Sequence, residues 1–226
     1  MNIQLKNVPS QKWLESYDEV IKEPYIKKKY DRSKRLLEKV VYIKKYLPLL
    51  KNGGHKVLDI GPGPGEFLEI CRAYGNEAFG TDAPLIDCEM GDSYIKLSHL
   101  MSQRQELKIS YEGLDMSSYS DSEFNVINSQ GAIEQVFRDC LEGTSHKEEK
   151  NCMLLSWKED EDTERTIMGF LKECHRCLKD NGVLLIYGNG AKNVKYYDSV
   201  IKKSSNKVGF KITYSKHSRL HLMKKI

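Results

Sequence analysis

Apolar residues Trp13, Leu14, Tyr17, Val20 and Ile21 recur at helical spacing over residues 11–23, with Ser10 placed to cap the start and Pro24 beyond the end. A second helical pattern over about residues 29–46 gathers Leu36, Leu37, Val40, Val41 and Leu47 on one face before Pro48. Residues 1–50 are therefore expected to form a helical cap. After Lys51-Asn52-Gly53-Gly54 the pattern changes, and short apolar runs alternate with helical stretches. Strands are expected at 57–60, 78–81, 108–112, 124–128 and 183–187, with helices at 66–74 and 166–178. That alternation predicts an α/β fold, a parallel sheet with helices on both faces. Two last strand-like runs, 209–214 and 219–223, are separated by a short polar stretch that suits an antiparallel hairpin at a sheet edge. Residues 142–165 are polar and acid-rich and read as an inserted loop, anchored by Met153-Leu154-Leu155 and Trp157.

Composition narrows the class without changing this picture. A chain of 226 residues, 39% hydrophobic and 30% charged with six prolines, suits one globular domain and excludes collagenous, disordered and disulfide-stapled proteins. Its longest aliphatic stretch, Val183 to Ile186, is far below the roughly 18 apolar residues that a membrane span needs, so a soluble chain with no membrane partner is expected. Residues 1–12 show no apolar signal-peptide core, which predicts a cytoplasmic protein. In that compartment Cys71, Cys88, Cys140, Cys152, Cys174 and Cys177 are reduced thiols.

Charge is distributed unevenly. Residues 1–56 carry 14 basic against 6 acidic side chains and residues 192–226 carry 10 against 1, whereas residues 57–191 carry 12 against 25. Basic ends can face nucleic acid, yet aromatic and basic residues do not interleave as in a nucleic-acid module, so solvated faces are the preferred reading.

The stretch that carries chemistry is Val57-Leu58-Asp59-Ile60-Gly61-Pro62-Gly63-Pro64-Gly65-Glu66-Phe67. A strand that runs through a glycine-rich turn into a helix lets backbone approach a ligand at the carboxyl edge of the sheet. A dinucleotide fingerprint would place its third glycine where Glu66 stands, and a phosphate-binding loop would end in Gly-Lys-Ser/Thr, which is absent. Acidic Asp59 and Glu66 suit a cationic ligand better than a pyrophosphate.

This stretch resembles motif I of the class I S-adenosylmethionine-dependent methyltransferases, apolar-apolar-acidic-apolar-Gly-x-Gly-x-Gly, with Asp59, Gly61, Gly63 and Gly65 in the matching places. The resemblance continues in order. Phe79-Gly80-Thr81-Asp82 is similar to the end of the second strand, where the acidic residue meets the ribose hydroxyls. Gly113-Leu114-Asp115-Met116 resembles the element after the third strand that meets the adenine, which implies roles for Asp115 and Met116. Phe124 to Ile127 resembles the fourth strand, and Leu171 to Leu184 the following helix, turn and fifth strand, with Asp180-Asn181 where Pro-Gly is usual. Gln130 falls on the cofactor's adenosine side. The resemblance spans roughly residues 55–190 and implies a Rossmann-like, seven-stranded, mostly parallel sheet, S-adenosylmethionine as cofactor, and a single catalytic domain over 51–226.

Ser129 to Val136 is similar to a segment of quinone and sugar O-methyltransferases that ends in apolar-Glu-His-apolar. Glu134 matches the Glu and is the candidate general base, while Gln135 replaces the His. The acceptor this implies is a small molecule, a hydroxyl of a sugar or glycan precursor first; RNA, or binding without turnover, are the alternatives. No metal is expected: Cys174-x-x-Cys177 beside His175 lacks the further ligands of a zinc site and reads as helix-packed thiols. His146, His217 and His221 read as surface residues, and Tyr17, Tyr25 and Tyr30 as a possible roof over the acceptor.

Overall fold

The computed structural model describes residues 32–82, 107–110, 116–131, 161–188, 194–216 and 220–226. The elements are α1 (Arg32–Tyr46), β1 (Lys56–Ile60), α2 (Glu66–Ala73), β2 (Glu77–Thr81), β3 (Lys108–Ser110), β4 (Phe124–Gln130), α3 (Glu161–Cys177), β5 (Leu178–Tyr187), α4 (Val194–Val208), β6 (Phe210–Lys216) and β7 (Leu220–Lys225). A 3-10 turn, Pro48–Asn52, joins α1 to β1.

The strands form one seven-stranded sheet in the order β3-β2-β1-β4-β5-β7-β6. β3, β2, β1, β4 and β5 pair in parallel, and β7 pairs antiparallel with both β5 and β6. Chain order reverses between β1 and β4, so their carboxyl ends flank the crevice where open α/β sheets bind ligands.

Two apolar layers sandwich the sheet, and the alternation of strand side chains assigns residues to each. Leu58, Ile60, Ile127, Leu184, Ile186 and Met223 meet Ile167 and Leu171 of α3 and Val200 and Ile201 of α4. Val57, Val126 and Leu185 face the other way, against Tyr42, Ile43 and Leu47 from the α1 side and Phe67, Leu68 and Cys71 of α2. β1 is apolar on both sides because both its faces are covered, the signature of a central parallel strand. Asp59 is the exception and faces the α1 layer.

Several sequence expectations change in detail. The inward face of α1 is set by Tyr42 and Ile43 with Leu36 and Val40, while Leu37 and Val41 lie 63% and 55% exposed. Residues 161–165 are helical and not part of a loop, since α3 begins at Glu161. β5 begins at Leu178 and not after the turn, because Leu178 pairs with Phe124 before the ladder shifts and resumes at Val183. Asn181 takes the bend at φ 61°, a conformation Asn tolerates better than most residues. Helix α4 escaped the sequence reading, although Tyr197, Val200, Ile201, Ser204 and Ser205 mark its buried stripe. The remaining residues of the 142–165 loop and the helix over 11–23 lie outside the described residues.

Candidate functional site at the β1–β4 crevice

β1 delivers Asp59 to the crevice and then turns through Gly61, Gly63 and Gly65, whose φ values of 68°, 53° and 83° are left-handed. Side chains are strained there, and at Gly65 a Cβ would also stand 2.3 Å from Leu107 Cδ1. The Gly61 amide donates to the Thr81 carbonyl (2.8 Å) and the Gly65 amide to the Pro62 carbonyl (3.0 Å), tying the turn to β2 and to itself. Glu66 then opens α2.

Asp59 is 3% exposed, and its Oδ1 accepts a 2.6 Å hydrogen bond from Asn128 Nδ2 on β4. Asn128 Oδ1 in turn accepts from the Tyr42 hydroxyl at 3.0 Å. This Tyr42–Asn128–Asp59 chain is buried and joins α1, β4 and β1 across the switch point. Burial raises the Asp59 carboxyl to about 7, with Asp82 and Glu66 pushing the same way and the Asn128 bond and the Lys39 charge opposing.

Helix α1 supplies the rest of the frame from one face at i, i+4 and i+7. The Arg35 Nε donates to the buried Glu66 Oε1 at 2.9 Å. The Lys39 ammonium donates to Gln130 Oε1 at the end of β4. Burial lowers the Lys39 pKa, and the Asp59 and Glu66 carboxylates partly restore it. Among the described residues the site therefore holds three carboxylates, Asp59, Glu66 and Asp82, against two cations of α1.

No family model matches the sequence, and no curated protein matches it. Solved structures do. A SAM-dependent methyltransferase from Archaeoglobus fulgidus superposes with a TM-score of 0.50 at 18% identity, over 80% of this chain and 70% of that one. A methyltransferase from Pyrococcus furiosus gives 0.50 at 14% identity, over 84% and 81%. The magnesium protoporphyrin IX methyltransferase of Synechocystis gives 0.50 at 10% identity, over 85% and 80%. The fold is that of the class I S-adenosylmethionine-dependent methyltransferases.

In this methyltransferase fold the structure brings Asp59, Gly61, Gly63, Gly65, Asp82 and Gln130 to one edge. Asp82 lies half-buried just beyond β2, its amide donating to the Ser110 carbonyl at 2.8 Å. Gln130 meets α1 through its side chain. Met116 has a buried side chain packed with Leu58, Ile60 and Phe124, while its carbonyl accepts from Arg176 Nη2 at 2.8 Å. Arg176 Nη1 also donates to the Tyr119 carbonyl (2.9 Å), so one guanidinium at the end of α3 anchors the loop after Met116. Asp115, Glu134, His146, His217 and the tyrosines at 17, 25 and 30 lie outside the described residues.

Arg35, Lys39, Tyr42 and Asn128 belong to the site and were not singled out from the sequence. Their signals were a basic-basic-aromatic stripe on α1 and an Asn inside an apolar strand. Cys174 and Cys177 are fully buried with thiols raised by burial, as their helical spacing predicts. His221 corrects its surface assignment: it is 0% exposed on β7, because its side shares the α4 layer with Tyr197.

Proposed function

We propose that the protein transfers a methyl group from S-adenosylmethionine to a small-molecule acceptor. The observation that carries this reading is the buried Asp59 carboxylate beside a left-handed glycine turn at the topological switch point. A phosphate cofactor does not fit the same place. The first turn of α2, where a phosphate would bind, carries the acids Glu66 and Glu69, and Asp59 and Asp82 add repulsion. A sulfonium and an ammonium fit these groups, since each opposes the burial that now holds Asp59 at about 7.

On this reading Gly61, Gly63 and Gly65 let backbone approach the ligand, Asp59 faces its cationic end and Asp82 receives the ribose hydroxyls, while Gln130, expected on the adenosine side, serves the cationic end instead because its side chain meets Lys39. Asp115 and Met116 border the adenine. When bound, the cofactor would supply a methyl group on a cationic sulfur, to be taken by an acceptor lone pair with a neutral thioether as the leaving group. The chain's own work is positioning, because in-line alignment supplies much of the acceleration. The residues over 1–50 act as a helical cap on a domain over 51–226; α1 supports this by placing Lys39 and Tyr42 against the crevice.

A hydroxyl acceptor also has to lose a proton, and we assign that task to Glu134, with a sugar or glycan-precursor hydroxyl as the first acceptor to test. The support is the similarity of the Ile133-Glu134 segment to O-methyltransferases. Glu134→Gln is expected to leave S-adenosylhomocysteine affinity within about twofold and to lower turnover by roughly 100-fold or more, the usual scale of general-base catalysis. Undiminished turnover would remove Glu134 from the chemistry.

A further inference from the structure

The amino-acid end of S-adenosylmethionine is a zwitterion, and a site built only from carboxylates would repel half of it. Asp59, Glu66 and Asp82 all bear on the crevice, and a ligand carboxylate entering among them needs a cation. Two basic side chains of α1 stand there. Arg35 is engaged with the buried Glu66 at 2.9 Å. Lys39 is different: its ammonium reaches across to the end of β4 and rests on the neutral side-chain oxygen of Gln130, with Asp59 the largest charge acting on it. Among the described residues, Lys39 is the cation that acts on Asp59.

We propose that Lys39 binds the α-carboxylate of the cofactor, while Asp59 and the Gln130 side-chain oxygen receive its α-ammonium group. This rests on the methyltransferase reading above and deepens it, since it makes α1 a determinant of which adenosyl compounds enter. The four-carbon stem of lysine carries a compact, rotatable ammonium, so Lys39 can leave the Gln130 oxygen to the ligand's own ammonium without moving the helix. Charges then alternate along the crevice: Asp59, ligand ammonium, ligand carboxylate, Lys39. Adenosyl compounds that lack the carboxylate leave Lys39 beside an unneutralised ligand cation and are disfavoured.

Calorimetric titration of the full chain with S-adenosylhomocysteine and with its decarboxylated analogue, S-adenosyl-3-thiopropylamine, tests this. Wild-type protein is expected to prefer the carboxylated ligand by tenfold or more. Lys39→Met should abolish most of that preference, weakening S-adenosylhomocysteine about tenfold and leaving the analogue within about threefold, whereas Lys39→Arg should retain much of it. Because the analogue keeps the ammonium, any indirect effect of Lys39 on Asp59 appears with both ligands and cancels in the comparison. Equal wild-type affinities, or equal losses for both ligands in a folded Lys39→Met protein, would overturn the role of Lys39 alone. Tighter S-adenosylhomocysteine binding by Lys39→Met would overturn it too and make the lysine a competitor of the ligand. Wild-type binding of neither compound would instead bring down the methyltransferase reading, and this inference with it.

Discussion

Two buried ionisable groups, Asp59 in the β1–β4 crevice and His221 on β7, show how burial serves different ends in one molecule. Asp59 is held against its preference for water: burial lifts its pKa to about 7, and around it stand Lys39, Glu66 and Asp82, all able to respond to a ligand's charge. His221 is sealed among Tyr197 and α4, and burial lowers its pKa to about 4. Its Nε2 lies 3.6 Å from Asp198 Oδ1, too long for a hydrogen bond, while the other Asp198 oxygen accepts from Lys202 at 2.8 Å. The neighbouring charges at His221 belong to one helix and balance each other. Those at Asp59 come from three separate parts of the chain and, among the described residues, leave a negative excess for a cation to answer. The first arrangement suits a structural core and the second a binding site.

The two groups have opposite pH linkages, and that contrast can be broken experimentally. A carboxyl whose folded pKa is raised from 3.8 to about 7 binds its proton more tightly in the folded state, so it reduces stability as pH rises through that interval. The full effect, present above pH 7, is about 4 kcal/mol on the order of magnitude. Asp59→Asn should therefore be more stable than wild type at pH 8 by up to that amount and have no advantage near pH 4, while losing cofactor affinity. Urea melts at both pH values check it, and an equal difference at each would contradict the burial argument.

A histidine whose folded pKa falls from 6.5 to about 4 acts the other way. Its unfolded form takes up the proton first, so its contribution is whole above pH 6.5 and is lost as pH drops towards 4, by about 3 kcal/mol. His221→Phe should flatten this loss and leave adenosyl-ligand affinity unchanged. A large change in ligand affinity would move His221 from the core into the site.

The smallest of these effects sharpens the functional side. Asp82→Ala should weaken S-adenosylmethionine binding by about 1–3 kcal/mol, the scale of losing a partner for buried hydroxyls, with little change in the thermal midpoint of the ligand-free protein. Unchanged affinity in the folded variant would remove Asp82 from the crevice.

The legible parts of the molecule were the ones whose signal is local. The strand, glycine turn and helix around Asp59 lie within eleven consecutive residues, Val57 to Phe67, and the parallel pairing of the strands follows from their alternation with helices. Lys39, Tyr42 and Asn128 were not legible because each looks ordinary in its own segment; they become a site only when α1 folds over the ends of β1 and β4. Polarity misled twice for a similar reason. The polar segment at 161–164 read as loop but is the start of α3, and His221, between Leu220 and Leu222 in a basic tail, read as surface although its strand is buried on both faces.

Titration of the purified chain with S-adenosylmethionine and S-adenosylhomocysteine, with a nicotinamide dinucleotide as control, bears most directly on the acidic crevice around Asp59. Micromolar binding of both adenosyl ligands and none of the dinucleotide is the expected result. A folded protein that binds neither adenosyl ligand, or binds the dinucleotide instead, would contradict the account.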